Sequence, residues 1–338
     1  MVIESKHSLV IQSFGHESEY RRALFAIFSF YAASPQEECK IVILFTDNPE
    51  WFRKYGREIN FHFILLTLEK IKVMRGNIDF LHRMKIALIE EAFQLYPQHK
   101  IVYADSDSFF TANPDTVLEQ ISPDCSAMHL WEYEFESLKD RVLPAGKTFQ
   151  AFYQLIQKQD FVVADGTTIK ISPGMSSWNA GVMFFHPEHK RLIPDVYALT
   201  DQFYPSTENH ASEQYAFSIV LKQHTRLIPC AAINYHYWYR IKKQIADEFL
   251  RDKFNEAFLS ASLSSRLGLV KEWTQALPHL FEAHVWMWRD HALQAFNENR
   301  FKEAYKWTIK AIFKEPFSSK SFILDVLYHT KRKLRGHV

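Results

Sequence analysis

The chain is predicted to be an α/β protein, a mainly parallel sheet flanked by helices, with a helical appendage at its C-terminal end. Three observations carry this prediction. Short apolar runs alternate with helix-patterned segments through the first two thirds of the chain, as βαβ units require. One of those runs leads into two carboxylates two positions apart, Asp105 and Asp107. Beyond about residue 242 the strand-like runs stop. The expected division is residues 1–241 for the α/β domain and 242–338 for a helical region packed on it.

Residues 8–13 read as a first buried strand and residues 14–16 as a turn. Residues 17–33 form a helix, because Tyr20, Leu24, Ile27, Phe28 and Tyr31 recur at helical spacing. Residues 41–45 are a second strand, closed by the turn 46–49. A short helix follows from Glu50, then a strand at 61–66 and an amphipathic helix at 79–95. That helix leads into the run 101–110, which contains Asp105 and Asp107. Signals mix between 122 and 173, with a strand at 125–131 and a helix at 148–157. The tight turn Asn179-Ala180-Gly181 then feeds a strongly apolar strand; a glycine there lets a ligand or another backbone approach closely. A helix opens at Ser212, with Glu213 and Gln214 in its first turn, where side chains project back toward a site. Residues 226–233 read as the last strand, followed by Asn234-Tyr235-His236-Tyr237-Trp238. Residues 288–313 resemble one tetratricopeptide-type hairpin, with Pro316 as its stop. One such unit cannot form a stable array, so it is read as a packed appendage.

The 338 residues suit one large domain with an appendage, and a 47% hydrophobic composition supplies its core. A net charge of +1 gives no support for a nucleic-acid partner. No Gly-x-Gly pair and no complete Gly-x4-Gly-Lys-Ser/Thr cradle exists, so phosphate must be held another way. Cys39, Cys125 and Cys230 are isolated from one another. They fit neither a disulfide framework nor a zinc cluster and point to a reducing compartment. The N-terminus lacks the apolar stretch of a signal peptide, and no run of about 18 apolar residues occurs. A cytoplasmic location is therefore expected. The basic tail from Lys331 to Arg335 follows the apolar stretch 322–328. It is compatible with peripheral contact at the inner face of a membrane, worth roughly 1 kcal/mol per basic residue, and equally with a solvated terminus.

Side chains at i and i+2 on extended backbone point the same way. Asp105 and Asp107 can therefore converge where a buried strand leaves the core. Two carboxylates so placed repel unless a proton or cation sits between them. Hard oxygen ligands suit Mg²⁺ or Mn²⁺, with positions left for water and a diphosphate. The bland alternative is a pair of solvated turn aspartates. Ser13, Asp47 and Asp105 all fall at carboxyl ends of predicted strands, which is the ligand-binding rim of a parallel sheet.

Four blocks in this order resemble the retaining sugar-nucleotide glycosyltransferases of family 8, the relatives of glycogenin and of bacterial lipopolysaccharide galactosyltransferases. They are the opening strand, turn and helix with Tyr20; residues 101–110; Trp178-Asn179-Ala180-Gly181-Val182; and Glu213-Gln214. The resemblance covers residues 8–238. It implies the GT-A fold, a Rossmann-like α/β nucleotide-binding domain, and a hexosyltransferase that uses Mn²⁺ or Mg²⁺ and a nucleotide-sugar donor, with UDP as the family carrier. It implies a glycan or glycolipid acceptor. By the same resemblance Asp107 ligates the metal, Asp105 shares the metal and the ribose, and His236 is the third ligand. Here the chain departs from the family, whose segment reads His-Phe-x-Gly…Lys-Pro-Trp. Lys85, and after it Arg83, would reach the phosphates or the donor sugar. Asn179 and Gly181 would line the sugar pocket, with Gln214 opposite the leaving group and Glu213 on the sugar hydroxyls. Ser13 and Tyr20 are candidates for the base by position, and Ser106 joins the donor-binding set. Gln214 is a poor base, which favours retention of configuration.

Three other readings compete. A nucleotidyltransferase would carry a Gly-rich signature near the first strand, which Gly15 alone does not supply. A non-catalytic sugar-nucleotide or glycan-binding protein would have no need of both Asp105 and Asp107. A magnesium-dependent phosphotransferase would want its acidic pair after the first strand.

Overall fold

The computed structural model describes residues 6–34, 40–141, 146–316 and 320–334. The N-terminal five residues, Cys39 and Arg335 lie outside the described residues.

The strands are β1 His7–Ser13, β2 Lys40–Thr46, β3 Phe61–Leu65, β4 Lys100–Ala104, β5 Ser108–Phe110, β6 Cys125–Met128, β7 Trp131–Glu134, β8 Phe161–Val162, β9 Thr168–Ile169, β10 Ser176–Trp178, β11 Val182–Phe185, β12 Arg226–Pro229 and β13 Asn234–His236. The helices of the α/β part are α1 Glu17–Ala33, α2 Pro49–Tyr55, α3 Leu68–Arg75, α4 Arg83–Leu95, α5 Asp115–Leu118, α6 Lys147–Lys158, α7 Ile193–Thr207 and α8 Ser212–His224. After them come α9 Arg240–Arg251, α10 Glu256–Ser260, α11 Leu263–Ala283, α12 Val285–Asn297, α13 Phe301–Lys314 and α14 Lys320–Leu334.

Seven strands form one sheet in the order β12-β6-β11-β4-β1-β2-β3. β1 pairs in parallel with β2 and β4, β2 with β3, and β6 with β12; β11 runs antiparallel to both neighbours. The expected mainly parallel α/β sheet is thus the observed one. Period-two alternation builds its two cores. Leu9, Ile11, Val42, Leu44 and Val102 face one layer with α1, α9 and α11. Val10, Ile43, Phe45, Ile101 and Tyr103 face the other, against α4, α7 and α8. These strands read as continuous apolar runs because both faces are covered.

Ile245, Leu250, Val270, Trp273 and Leu277 share one core with Phe25 and Phe28 of α1. α9 and α11 therefore pack over α1 on this side of the sheet. Farther out, Trp288, Ala292 and Ala311 cluster with Phe322, and Phe296 with Ala295 and Ala304. No helix among the described residues is long and apolar enough to cross a membrane.

Four boundaries differ from expectation. β4 stops at Ala104, and residues 105–107 form a turn into β5, because two acids so close together have no place in a buried ladder. α4 starts at Arg83 rather than Asp79, which takes a left-handed φ of 49° in the turn before it. The expected strand 125–131 is β6 plus the start of β7, and 226–233 ends at Pro229, with β13 following a turn.

Candidate active site

The site is assembled at the carboxyl ends of β1 and β4. β5 pairs antiparallel with β13, Ser108 facing His236. That short ribbon carries His236 back to the Asp105–Asp107 turn. Ligand atoms of Asp105, Asp107 and His236 lie within 4.8 Å of one another. His236 Nε2 is 3.3 Å from Asp107 Oδ1 and 3.7 Å from Asp105 Oδ2.

The orientation of His236 follows from its neighbours. The Gly181 backbone N–H donates to Asn179 Oδ1 at 3.0 Å, so the atom facing it must be the amide oxygen. The Asn179 amide nitrogen in turn donates to Glu132 at 3.1 Å. The same Oδ1 lies 2.8 Å from His236 Nδ1. An oxygen acceptor requires Nδ1 to carry the proton, and in the neutral ring Nε2 then carries the lone pair. Nε2 is buried and makes no hydrogen bond. A lone pair and two carboxylates converging on one point suit a divalent cation, and a histidine fixed through its other nitrogen is the usual way such a ligand is aimed. The donor set, one imidazole nitrogen and carboxylate oxygens, fits a divalent cation.

Asp105 accepts from the Tyr103 hydroxyl at 2.5 Å. Its other oxygen lies 3.4 Å from Lys85 Nζ. Lys85 is buried, with Glu213 at 3.3 Å and the Ala180 carbonyl accepting at 3.1 Å. Burial alone would lower its pKa, but Asp105 and then Glu213 outweigh burial and hold the ammonium above the usual lysine range. Burial would likewise raise the Asp107 carboxyl. The Lys243 ammonium counters that and holds it below the usual carboxylate range. Lys243, in the first turn of α9, forms an ion pair with Asp107.

Two lobes open from the acidic cluster. One, of about 440 Å³, is lined by Lys85, Asn179, Gly181, Glu213, Gln214 and His236, with Glu132, Tyr133, Arg141, Phe149, His210 and Trp238 beyond them. The other, of about 350 Å³, is lined by Gln12, Ser13, Phe14, Glu19, Leu81 and Ser106. His82, Asp105, Asp107 and Lys243 line both. The Ser13 hydroxyl is buried without a hydrogen-bond partner. Ser106 donates to Glu19 at 3.1 Å.

In the larger lobe Gln214 is fully committed. Its oxygen accepts from the Ala180 N–H at 3.2 Å, and its amide nitrogen donates to Glu132 and to Ser177, both at 2.8 Å. Glu213 is half committed: Oε1 meets Lys85, while Oε2 is buried without a partner.

Two sequence candidates are placed elsewhere. Arg83 donates to Asp201 at 2.7 Å and to the Met74 carbonyl at 3.1 Å, and it lines a separate surface groove. Residues two apart on a helix lie about 200° apart around its axis, so Arg83 and Lys85 cannot both face the cleft. Tyr20 lines neither lobe. Its ring packs on Trp51 and Phe52, and its hydroxyl donates to Asp47 at 2.7 Å. Burial and then Asp47 push that phenol up to about 12. Asp47 also accepts from the Gly15 N–H at 2.9 Å, so Tyr20 braces the β1 turn.

Sequence reasoning missed Glu132, which accepts hydrogen bonds from Asn179, Ser177 and Gln214. It also missed Lys243. Glu132 is the middle residue of Trp131-Glu132-Tyr133 in β7, an acid between aromatics, and that was its one available signal. Lys243 had none.

No protein-family model and no curated protein sequence matches the chain. Among solved structures, the apo form of mouse xyloside xylosyltransferase 1 is similar at 15% identity and a TM-score of 0.43, over 67% of this chain and 85% of that one. The galactosyltransferase LgtC, in complex with donor and acceptor sugar analogs, is similar at 13% identity and 0.43, over 72% and 94%. The glycosyltransferase GlyE of Streptococcus pneumoniae TIGR4 is similar at 13% identity and 0.45, over 81% and 64%.

Proposed function

We propose that the chain is a divalent-cation-dependent glycosyltransferase that moves a sugar from a nucleotide diphosphate, with UDP as carrier, to a glycan or glycolipid. One observation carries the reading. The unsatisfied Nε2 of His236 meets Asp105 and Asp107 on the boundary between two lobes of a single cleft. A pyrophosphate bridging a nucleoside and a sugar needs its cation at such a boundary.

Asp105, Asp107 and His236 would hold Mn²⁺ or Mg²⁺, which supplies Lewis-acid relief of the charge that develops on the leaving diphosphate. The lobe of Ser13 and Ser106 takes the nucleoside, and the unpartnered Ser13 hydroxyl is free to bond it. The lobe of Asn179, Gly181, Glu213 and Gln214 takes the sugar. Lys85 holds Asp105 and Glu213 in fixed relation, and Glu213 Oε2 accepts from a sugar hydroxyl. Gln214 is a neutral amide with its hydrogen bonds already spoken for, so it cannot serve as a base. That supports retention of configuration, with the leaving phosphate receiving the acceptor proton.

The test is a panel of sugar nucleotides assayed for donor hydrolysis and transfer with Mn²⁺. Asp107→Ala is expected to lower turnover by at least about 10³-fold with an unchanged circular dichroism spectrum. Metal-independent turnover, or full activity in Asp107→Ala, refutes the reading. An inverted anomeric product refutes retention alone.

Peripheral membrane contact is a separate proposal. It is supported by exposed Phe313 on α13 and Leu324, Leu327 and Tyr328 on α14. Against the basic tail as the grip, Arg332 donates back to the Phe296 carbonyl at 3.2 Å. Co-sedimentation with anionic vesicles that survives Leu324→Ser/Leu327→Ser removes the apolar face from the proposal.

A further inference from the structure

The outer wall of the larger lobe differs in chemistry from its floor. On the floor, Asp105, Asp107 and one oxygen of Glu213 are paired with lysines, and Glu132 with amide and hydroxyl donors. On the wall stand Tyr133, Arg141, Phe149, His210 and Trp238. Arg141 stands close to two rings, its guanidinium carbon 4.8 Å from the Tyr133 centroid and 5.5 Å from that of Phe149. Phe149 is in turn braced edge-on by His210 at 5.4 Å. Tyr133 is fixed from behind by Tyr215, hydroxyl to hydroxyl at 3.0 Å. The guanidinium is therefore held near two rings that are themselves braced. Among the described residues it forms no ion pair with a carboxylate. Trp238 is 49% exposed, and its ring stands 5.0 Å from that of His236. It offers a broad apolar face beside the candidate metal ligand.

None of these five residues lines the nucleoside lobe. Given the glycosyltransferase reading, on which this inference rests, the donor occupies the metal boundary and the floor. The wall is left for whatever receives the sugar. We propose that Tyr133, Arg141, Phe149 and Trp238 form an acceptor subsite for an acidic carbohydrate, a sugar ring stacked on an aromatic face with its anionic group on the Arg141 guanidinium. An aromatic ring suits the C–H face of a pyranose, since both present broad apolar area. A guanidinium suits a carboxylate or a phosphoryl group, both of which it binds with two parallel N–H···O bonds. Neutral sugars would use the stacking and leave the guanidinium without a partner.

The test uses three probes in ligand-observed NMR titrations of the full chain: 4-nitrophenyl glucoside, the matching glucuronide and the matching glucoside 6-phosphate. In parallel, calorimetry measures UDP binding with and without Mn²⁺. At least one acidic probe is expected to bind about tenfold more tightly than the neutral one. The stronger of the two identifies carboxylate or phosphate as the source of the charge. Arg141→Gln is expected to abolish the preference, Arg141→Lys to keep part of it, and Trp238→Ala to weaken all three probes alike. Equal binding of the three probes, no binding of any, or a preference that survives Arg141→Gln overturns the subsite. Absence of Mn²⁺-dependent UDP binding instead overturns the donor-site reading, so the two failures are read from different experiments.

Discussion

Gly181 is the position where one methyl group tests the whole geometry. Its backbone carries no positive φ, so alanine is not strained there. What excludes a side chain is the His236 ring. A Cβ on residue 181 would sit 2.6 Å from His236 Nε2 and closer still to Cε1 and Nδ1, where ordinary contact begins at 3.4 Å. The obstacle is a flat ring, not a flexible chain end. It is itself hemmed in by His129 and Trp238, at centroid distances of 5.6 and 5.0 Å. In Gly181→Ala the ring must swing away and give up its hydrogen bond to Asn179. The aimed lone pair goes with it. Losing an orienting partner of a metal ligand costs about 10–100-fold in affinity. Overpacking of this kind costs about 1–3 kcal/mol in stability. Calorimetric titration with Mn²⁺ measures the first, and denaturant unfolding the second. A double-mutant cycle sharpens the test. In a His236→Ala background the ring that the methyl meets is gone, so its effect on both readouts should shrink. Wild-type Mn²⁺ affinity in Gly181→Ala, or equal penalties in the two backgrounds, would refute the placement of His236 against residue 181.

Two further predictions separate roles that the sequence ran together. Lys85→Met leaves the buried Glu213 and the adjoining Asp105 without their shared cation, and should cost about 3–5 kcal/mol in unfolding experiments; Arg83→Ala, whose guanidinium faces Asp201 and not the cleft, should leave Mn²⁺-dependent turnover near wild type. His189 tests the core away from the site: its Nδ1 accepts from the His186 N–H and its Nε2 donates to the Pro123 carbonyl, and burial pushes it down to about 4. Between pH 6.5 and about 4 the unfolded chain therefore takes up a proton that the native chain refuses, so stability falls as pH falls; His189→Gln should flatten that slope by up to about 1.4 kcal/mol per pH unit, and an unchanged slope would show that His189 titrates normally.

Local chemistry was legible in the sequence, and long-range pairing was not. The strands of the parallel sheet announce themselves because both faces are covered, so each is a run of apolar residues. Asp105 and Asp107 stand out because two acids interrupt such a run. Asn179, Gly181, Glu213 and Gln214 fall into the cleft as their positions at strand and helix starts implied. Arg83 and Lys85 looked equivalent only while their helix had no fixed rotation. The sheet then chose Lys85, because α4 must turn Met84 and Leu88 into the core. Tyr20 kept its place on α1 but spends its hydroxyl on Asp47, a partner 27 residues away that no periodicity could point to.

The same reasoning explains why His236 is the residue on which the site turns. Asp105 and Asp107 are neighbours by covalent connection and would lie close in almost any fold. His236 reaches them through a three-residue antiparallel ribbon, β5 with β13. It is aimed by Asn179, whose own orientation is set by Gly181 and Glu132. Four separate segments must therefore be correctly packed before Nε2 faces the two carboxylates. A pair of solvated turn aspartates would need none of that apparatus. Nor would it need a glycine at 181 in contact with the ring, or a buried lysine spanning Asp105 and Glu213. Burying so many polar groups is costly unless each is paired: Lys85 and Lys243 pair the carboxylates, whereas Nε2 of His236 is aimed between two of them without a hydrogen bond, and that is the feature the proposed cation would use.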